Sequence, residues 1–120
     1  MLPTRKGFLK LHVFGSKAVD PVQQTYCLVR NKTFKLYNDG RDMLSLKGVI
    51  DFDVVKCTIS IVDDTPEYSD RQPTKFKIEE VSSKTVFIFE ATMESNLKKW
   101  VNAITKNHRA GEATKNPKFV

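Results

Sequence analysis

Residues 94–104, ESNLKKWVNAI, carry an apolar stripe with helical period and hold the only tryptophan of the chain. Leu97, Trp100, Val101 and Ile104 fall at i, i+3, i+4 and i+7, and Met93 extends the stripe backward. Lys98, Lys99 and Asn102 point the other way. Thr92 suits the N-cap, and Glu94 suits the positive end of the helix dipole. A helix this short does not stand alone in water, so its stripe must pack on other parts of the chain.

What precedes the helix reads as short strands. In GFLKLHVF, 7–14, Leu9, Leu11 and Val13 alternate with Phe8, Lys10, His12 and Phe14, the period of a half-buried strand. Gly, Ser and Pro break the pattern over 15–21. QTYCLVR at 24–30 and TFKLYN at 33–38 flank Asn31-Lys32, a two-residue hairpin link without the favoured glycine. Asn38-Asp39-Gly40 marks a turn. MLSLKGVIDF predicts a fourth strand with a bulge or bend at Gly48, and VVKCTISIV at 54–62 a fifth. The acidic, twice-proline stretch 63–73 reads as an exposed loop. TKFKIEEV and KTVFIFEA form a further hairpin around Ser82-Ser83. Residues 108–120 lack periodicity and predict a basic, flexible tail after a domain spanning 1–107.

These elements predict a mainly β protein with one C-terminal helix. Seven antiparallel strands make a strongly bent sheet or barrel with one open end, which the helix plugs with Trp100. At 120 residues the chain is one domain that can bury roughly two-thirds of its unfolded surface. Cys27 and Cys57 sit in apolar stretches at no metal-binding spacing, so both read as reduced core thiols and predict a cytoplasmic address. The net charge of +6 is polarised: residues 1–42 carry +5, 43–70 carry −4 and 71–120 carry +5. Such an uneven charge suits an anionic partner on one side.

A set of stretches carries a family resemblance: Lys6-Gly7-Phe8-Leu9, Tyr26-Cys27-Leu28, Phe34-Lys35-Leu36-Tyr37, Phe76-Lys77-Ile78, Val86 to Ala91, and Glu94 through Trp100 to Ile104. In order and spacing, over roughly residues 5–107, they resemble a pleckstrin homology (PH) domain. The resemblance implies a seven-stranded, antiparallel two-sheet barrel capped by an α-helix. It further implies a non-catalytic module of signalling or trafficking proteins that needs no cofactor or metal. Many members bind phosphoinositide headgroups between the loops joining strands one to two, three to four and six to seven, while others bind proteins. The lipid-binding members resemble one another in a basic signature, from which this chain departs. The late first-strand lysine falls near Leu11, the second-strand positions fall at Val22 and Gln24, and no arginine occurs within 15–25.

The residues left near the open end are Lys10, His12, Lys17, Lys35, Arg41 and Lys84, with Tyr37 as a hydroxyl donor. An arginine fork binds phosphate through two charge-assisted hydrogen bonds, whereas lysine acts as a point charge. Four cations at about 1 kcal/mol each give only about millimolar affinity. The expected function is thus a peripheral membrane module binding acidic phospholipids, phosphoinositides foremost, weakly and with low selectivity. The alternative on the same fold is a protein-interaction module. A nucleic-acid partner is not expected, because no strand interleaves exposed aromatics with arginines. The chain has only two histidines, no nucleophile motif and no glycine-rich phosphate loop, which argues against an enzyme.

Overall fold

In a computed structural model, residues 2–14, 23–38, 46–63, 65–68 and 70–115 are described. Seven strands and one helix follow in order: β1 (Arg5–Phe14), β2 (Gln23–Arg30), β3 (Thr33–Tyr37), β4 (Leu46–Asp51), β5 (Cys57–Val62), β6 (Lys75–Glu80), β7 (Val86–Glu90) and α1 (Glu94–Lys115). All pairings are antiparallel, in the order β4-β3-β2-β1-β7-β6-β5. The two halves of the expected barrel are therefore one sheet joined through β1. This strand is long enough to serve both halves, pairing with β2 over Arg5–Leu11 and with β7 over Lys10–Phe14.

Strand alternation sorts the side chains. Leu9, Leu11, Cys27, Val29, Phe34, Leu36, Phe76, Ile78 and Phe89 turn into the core. Trp100 is 3% exposed, with its ring centroid 6.1 Å from that of Phe34. The Arg5 guanidinium lies 5.3 Å over the indole and donates to Asn96 Oδ1 at 3.4 Å. Gly7, at φ 155°, lies where an added Cβ would stand 3.6 Å from Trp100 Cζ2, so β1 passes directly against the indole. Cys27 and Cys57 are buried thiols that form no disulfide.

Asn31 and Lys32 both take positive φ, 50° and 65°, the signature of a type I′ hairpin turn even without glycine. Their strain is offset by packing against α1. The buried Asn107 accepts the Lys32 N–H on Oδ1 at 2.9 Å, and its Nδ2 donates to Pro3 O at 3.0 Å and Ala103 O at 2.8 Å. One side chain thus ties the N-terminus, the β2–β3 turn and the helix together. The bulge expected at Gly48 is present, since Leu36 opposes Gly48 but Tyr37 opposes Leu46, leaving Lys47 as the extra residue.

Three local expectations are corrected. The helix does not stop at the predicted tail but continues to Lys115. Its last turns find a partner in the β4–β5 turn: the His108 ring meets Phe52 edge-on at 5.5 Å, and Gly111 packs so closely that a Cβ would overlap the Phe52 carbonyl. Val54 and Val55 lie in a turn rather than in β5, because both N–H groups donate to Asp51 O while Asp51 Oδ1 accepts the Asp53 N–H. Met93, not Thr92, occupies the N-cap, as its carbonyl accepts the Leu97 N–H at 3.1 Å and the Thr92 hydroxyl takes the Asn96 side-chain amide instead.

Replacing Asn107 by alanine strands a backbone donor and an acceptor away from water. Asn107→Ala should cost about 2–3 kcal/mol, read as a lower midpoint at unchanged slope in urea unfolding. A change under about 0.5 kcal/mol would show that the tie is not made in solution.

Candidate functional site

The inward turn of Leu9 and Leu11 sends Phe8, Lys10 and His12 to the outer face of the sheet. Leu11, at the position near which the family signature has its lysine, is 4% exposed and opposes Phe89 in the core. A cation cannot occupy that inner position without being desolvated. Lys6 and Lys10 of β1 therefore serve the opposite surface, while Arg5 lies over Trp100.

On that surface the registers build a transverse row. Lys10 stands between Gln24 of β2 and Glu90 of β7, and Lys75 of β6 opposes Glu90 from the far side. His12 Nε2 lies 4.0 Å from Glu90 Oε1, too far for a hydrogen bond. Lys10, His12 and Lys75 thus surround a single carboxylate. Next to it, a polar cleft of about 290 Å³ is lined by Arg71, Lys75, Glu90 and the threonines Thr65 and Thr74. A second cleft of about 280 Å³, on the Lys10 side of Glu90, is bounded by Phe8, Gln24, Ala91 and Thr92.

Of the residues expected from sequence, the structure brings Lys10 and His12 together. Lys35 and Tyr37 lie on the outer face of β3, with β2 intervening, and form part of a different patch. The Tyr26 ring stands between those of Phe8 and Tyr37, at 5.0 and 6.3 Å. Lys17 and Arg41 lie outside the described residues. Lys84, exposed at φ 58° in the β6–β7 link, sits beyond the end where Phe14 opposes Val86. Sequence reading missed Arg71 and Lys75. The outward parity of Lys75 was readable from its alternation with Phe76 and Ile78, but its place beside Lys10 depends on two strand pairings distant in sequence.

A family model described as PH domain matches residues 3–109. Among solved structures, the pleckstrin homology domain of ArhGAP27 superposes with a TM-score of 0.66 at 9% identity, covering 88% of this chain and 99% of that one. The N-terminal PH domain of human ARAP2 gives 0.61 at 16% identity, covering 98% and 89%. A structure of human RhoA in complex with the DH/PH fragment of PDZRHOGEF gives 0.64 at 16% identity, covering 88% of this chain and 28% of that one. No curated protein matches the chain significantly in sequence. Among the described residues no helix is long and apolar enough to cross a membrane.

Glu90 is the one carboxylate inside the basic row, and removing its charge should favour anions by about 1 kcal/mol. Glu90→Gln is expected to tighten binding of soluble inositol trisphosphate about fivefold in an NMR titration. Unchanged affinity would place anion binding elsewhere.

Proposed function

The chain belongs to the PH domain family, and we propose that it works as a peripheral membrane module binding acidic phospholipids, with phosphoinositide headgroups as the preferred class. PH domains are lipid- or protein-binding modules, generally without catalytic activity. The observation that carries the lipid reading is the convergence of Lys10 and His12 from β1 with Lys75 from the start of β6 and Arg71 from the link entering it, beside a polar cleft of about 290 Å³. Arg71 supplies the planar fork that the β1–β2 region lacks, and Thr65 and Thr74 offer hydroxyls to phosphate oxygens.

The headgroup is thus proposed to sit on the outer face, between β1 and the link entering β6, rather than inside the open end where Leu11 fills the family's lysine position. The absence of a deep first-strand lysine keeps affinity and selectivity low in this reading. Few engaged cations at about 1 kcal/mol each leave binding strongly dependent on salt.

Sedimentation with liposomes of neutral lipid, of added phosphatidylserine and of single phosphoinositides tests this reading at low and physiological salt. Lys10→Ala/Arg71→Ala removes two cations, about 2 kcal/mol, and should weaken sedimentation about thirtyfold. Lys17→Ala and Arg41→Ala, made separately, should each have a smaller effect. Binding that ignores Lys10 and Arg71 but is lost with Lys17 or Arg41 would return the headgroup to the open end. No sedimentation with any anionic liposome would overturn the lipid reading.

A further inference from the structure

The outer face of β1–β4 presents two adjacent rows that lipid binding at Lys10 and Arg71 does not use. One runs Phe8, Tyr26, Tyr37, Leu46, and the other Lys6, Leu28, Lys35, Val49. Phe8 and Val49 are each 46% exposed and Leu46 is 54% exposed, in a region where strand alternation has already filled the core from the opposite face. Among the described residues nothing packs over these rows, and Lys6, Lys10 and Lys35 have no ion-pair partner. The nearest described carboxylates on this face lie outside the two rows: Glu90, in register with Lys10 one row beyond Phe8, and Asp51, one row further on beside Thr33, whose Oδ1 already accepts the Asp53 N–H. A contiguous apolar face flanked by cations, with no carboxylate within either row, marks an interaction surface.

We propose that these two rows are a docking surface for an acidic amphipathic helix of a protein partner, laid across strands β1–β4. The spacing selects this occupant. Lys6 and Lys35 stand two strands apart, about 10 Å at ~4.8 Å per strand, with Leu28 between them. On an α-helix, carboxylates at i and i+7 are about 10.5 Å apart on one face, and the residues at i+3 and i+4 lie between them. Such a helix sets its acidic groups on Lys6 and Lys35 and its apolar pair on Leu28. Rows on one face of a sheet are about 7 Å apart, so a helix about 10 Å wide also covers the aromatic row. Extended peptide fits less well, because carboxylates three residues apart on a strand point to opposite sides.

Single-stranded nucleic acid is disfavoured by the ring geometry. Base stacking needs open ring faces. Phe8 meets Tyr26 at 77° and Tyr26 meets Tyr37 at 61°, so these rings spend edges and faces on one another and form a ridge rather than a stacking platform.

The test uses the whole chain, isotopically labelled, and a fluorescein-tagged synthetic helix of about 15 residues with glutamates at i and i+7 and leucines at i+3 and i+4. A scrambled peptide of equal composition serves as control. The expected result is saturable binding, read by anisotropy at physiological salt, with amide shifts confined to β1–β4 and the scrambled peptide at least tenfold weaker. Lys6→Glu/Lys35→Glu, two surface charges, should weaken binding at least tenfold while leaving the circular dichroism spectrum unchanged. Phe8→Ser should do the same through apolar contact. Phe8→Ser, which leaves the net charge unchanged, should weaken liposome sedimentation far less than Lys10→Ala/Arg71→Ala does, which separates this surface from the headgroup site. The proposal is overturned by shifts that map elsewhere, by equal binding of the scrambled peptide, or by loss of liposome binding in Phe8→Ser, which would hand the face to the membrane.

Discussion

Trp100 is held on three sides, by Gly7 passing against its edge, Phe34 beside its ring and the Arg5 guanidinium over it. The rest of the architecture depends on this seating. A sheet bent around β1 leaves one end of its core open, and a single large aromatic on an amphipathic helix closes it with more buried area than any other side chain could supply. Gly7 supplies the positive φ, 155°, at which β1 runs against the indole, and the two halves of β1 serve β2 and β7 in turn. Asn107 locks the same helix a few turns later to the β2–β3 turn and the N-terminus, so the helix binds the sheet at two separated points.

That arrangement has a consequence for the surface. Once Leu9, Leu11 and Val13 are committed to the core, Lys6, Lys10 and His12 must face outward, while Arg5 keeps the inner side over Trp100. The outer face therefore carries two regions of different chemistry that meet near Lys10. Toward β7 and β6, cations gather around Glu90 and a polar cleft. Toward β2, β3 and β4, lysines alternate with exposed aromatic and aliphatic side chains. A polar, cationic cleft suits phosphate, whereas a basic apolar face suits a surface with both acidic and greasy groups.

Much of this was legible beforehand, for a local reason. Strand alternation in GFLKLHVF and TKFKIEEV names the core side of each strand without reference to neighbours, and the Leu97 to Ile104 stripe names the buried face of the helix. The bulge at Gly48 and the tight Asn31-Lys32 turn follow from backbone preferences that belong to single residues. The misplaced boundaries have local causes of another kind. Val54 and Val55 have strand-forming side chains, yet Asp51 captures the backbone into a turn. The last helical turns carry no stripe because their partner, Phe52, is approached through a glycine and a histidine edge rather than through aliphatic side chains.

The sequence by itself determined the elements, their order and which side chain of each pair is buried, because hydrophobic period and turn chemistry are properties of neighbouring residues. It could not tell which cations share a patch. Lys10, Glu90 and Lys75 become neighbours only through the β1–β7 and β7–β6 registers, and Lys6, Leu28 and Lys35 only through those of β1–β2 and β2–β3. Register between strands distant in the chain is decided by how the whole core packs, since a slip of one residue would turn every buried side chain to water. For that reason the separation of the polar cleft from the aromatic face belongs to the tertiary structure alone.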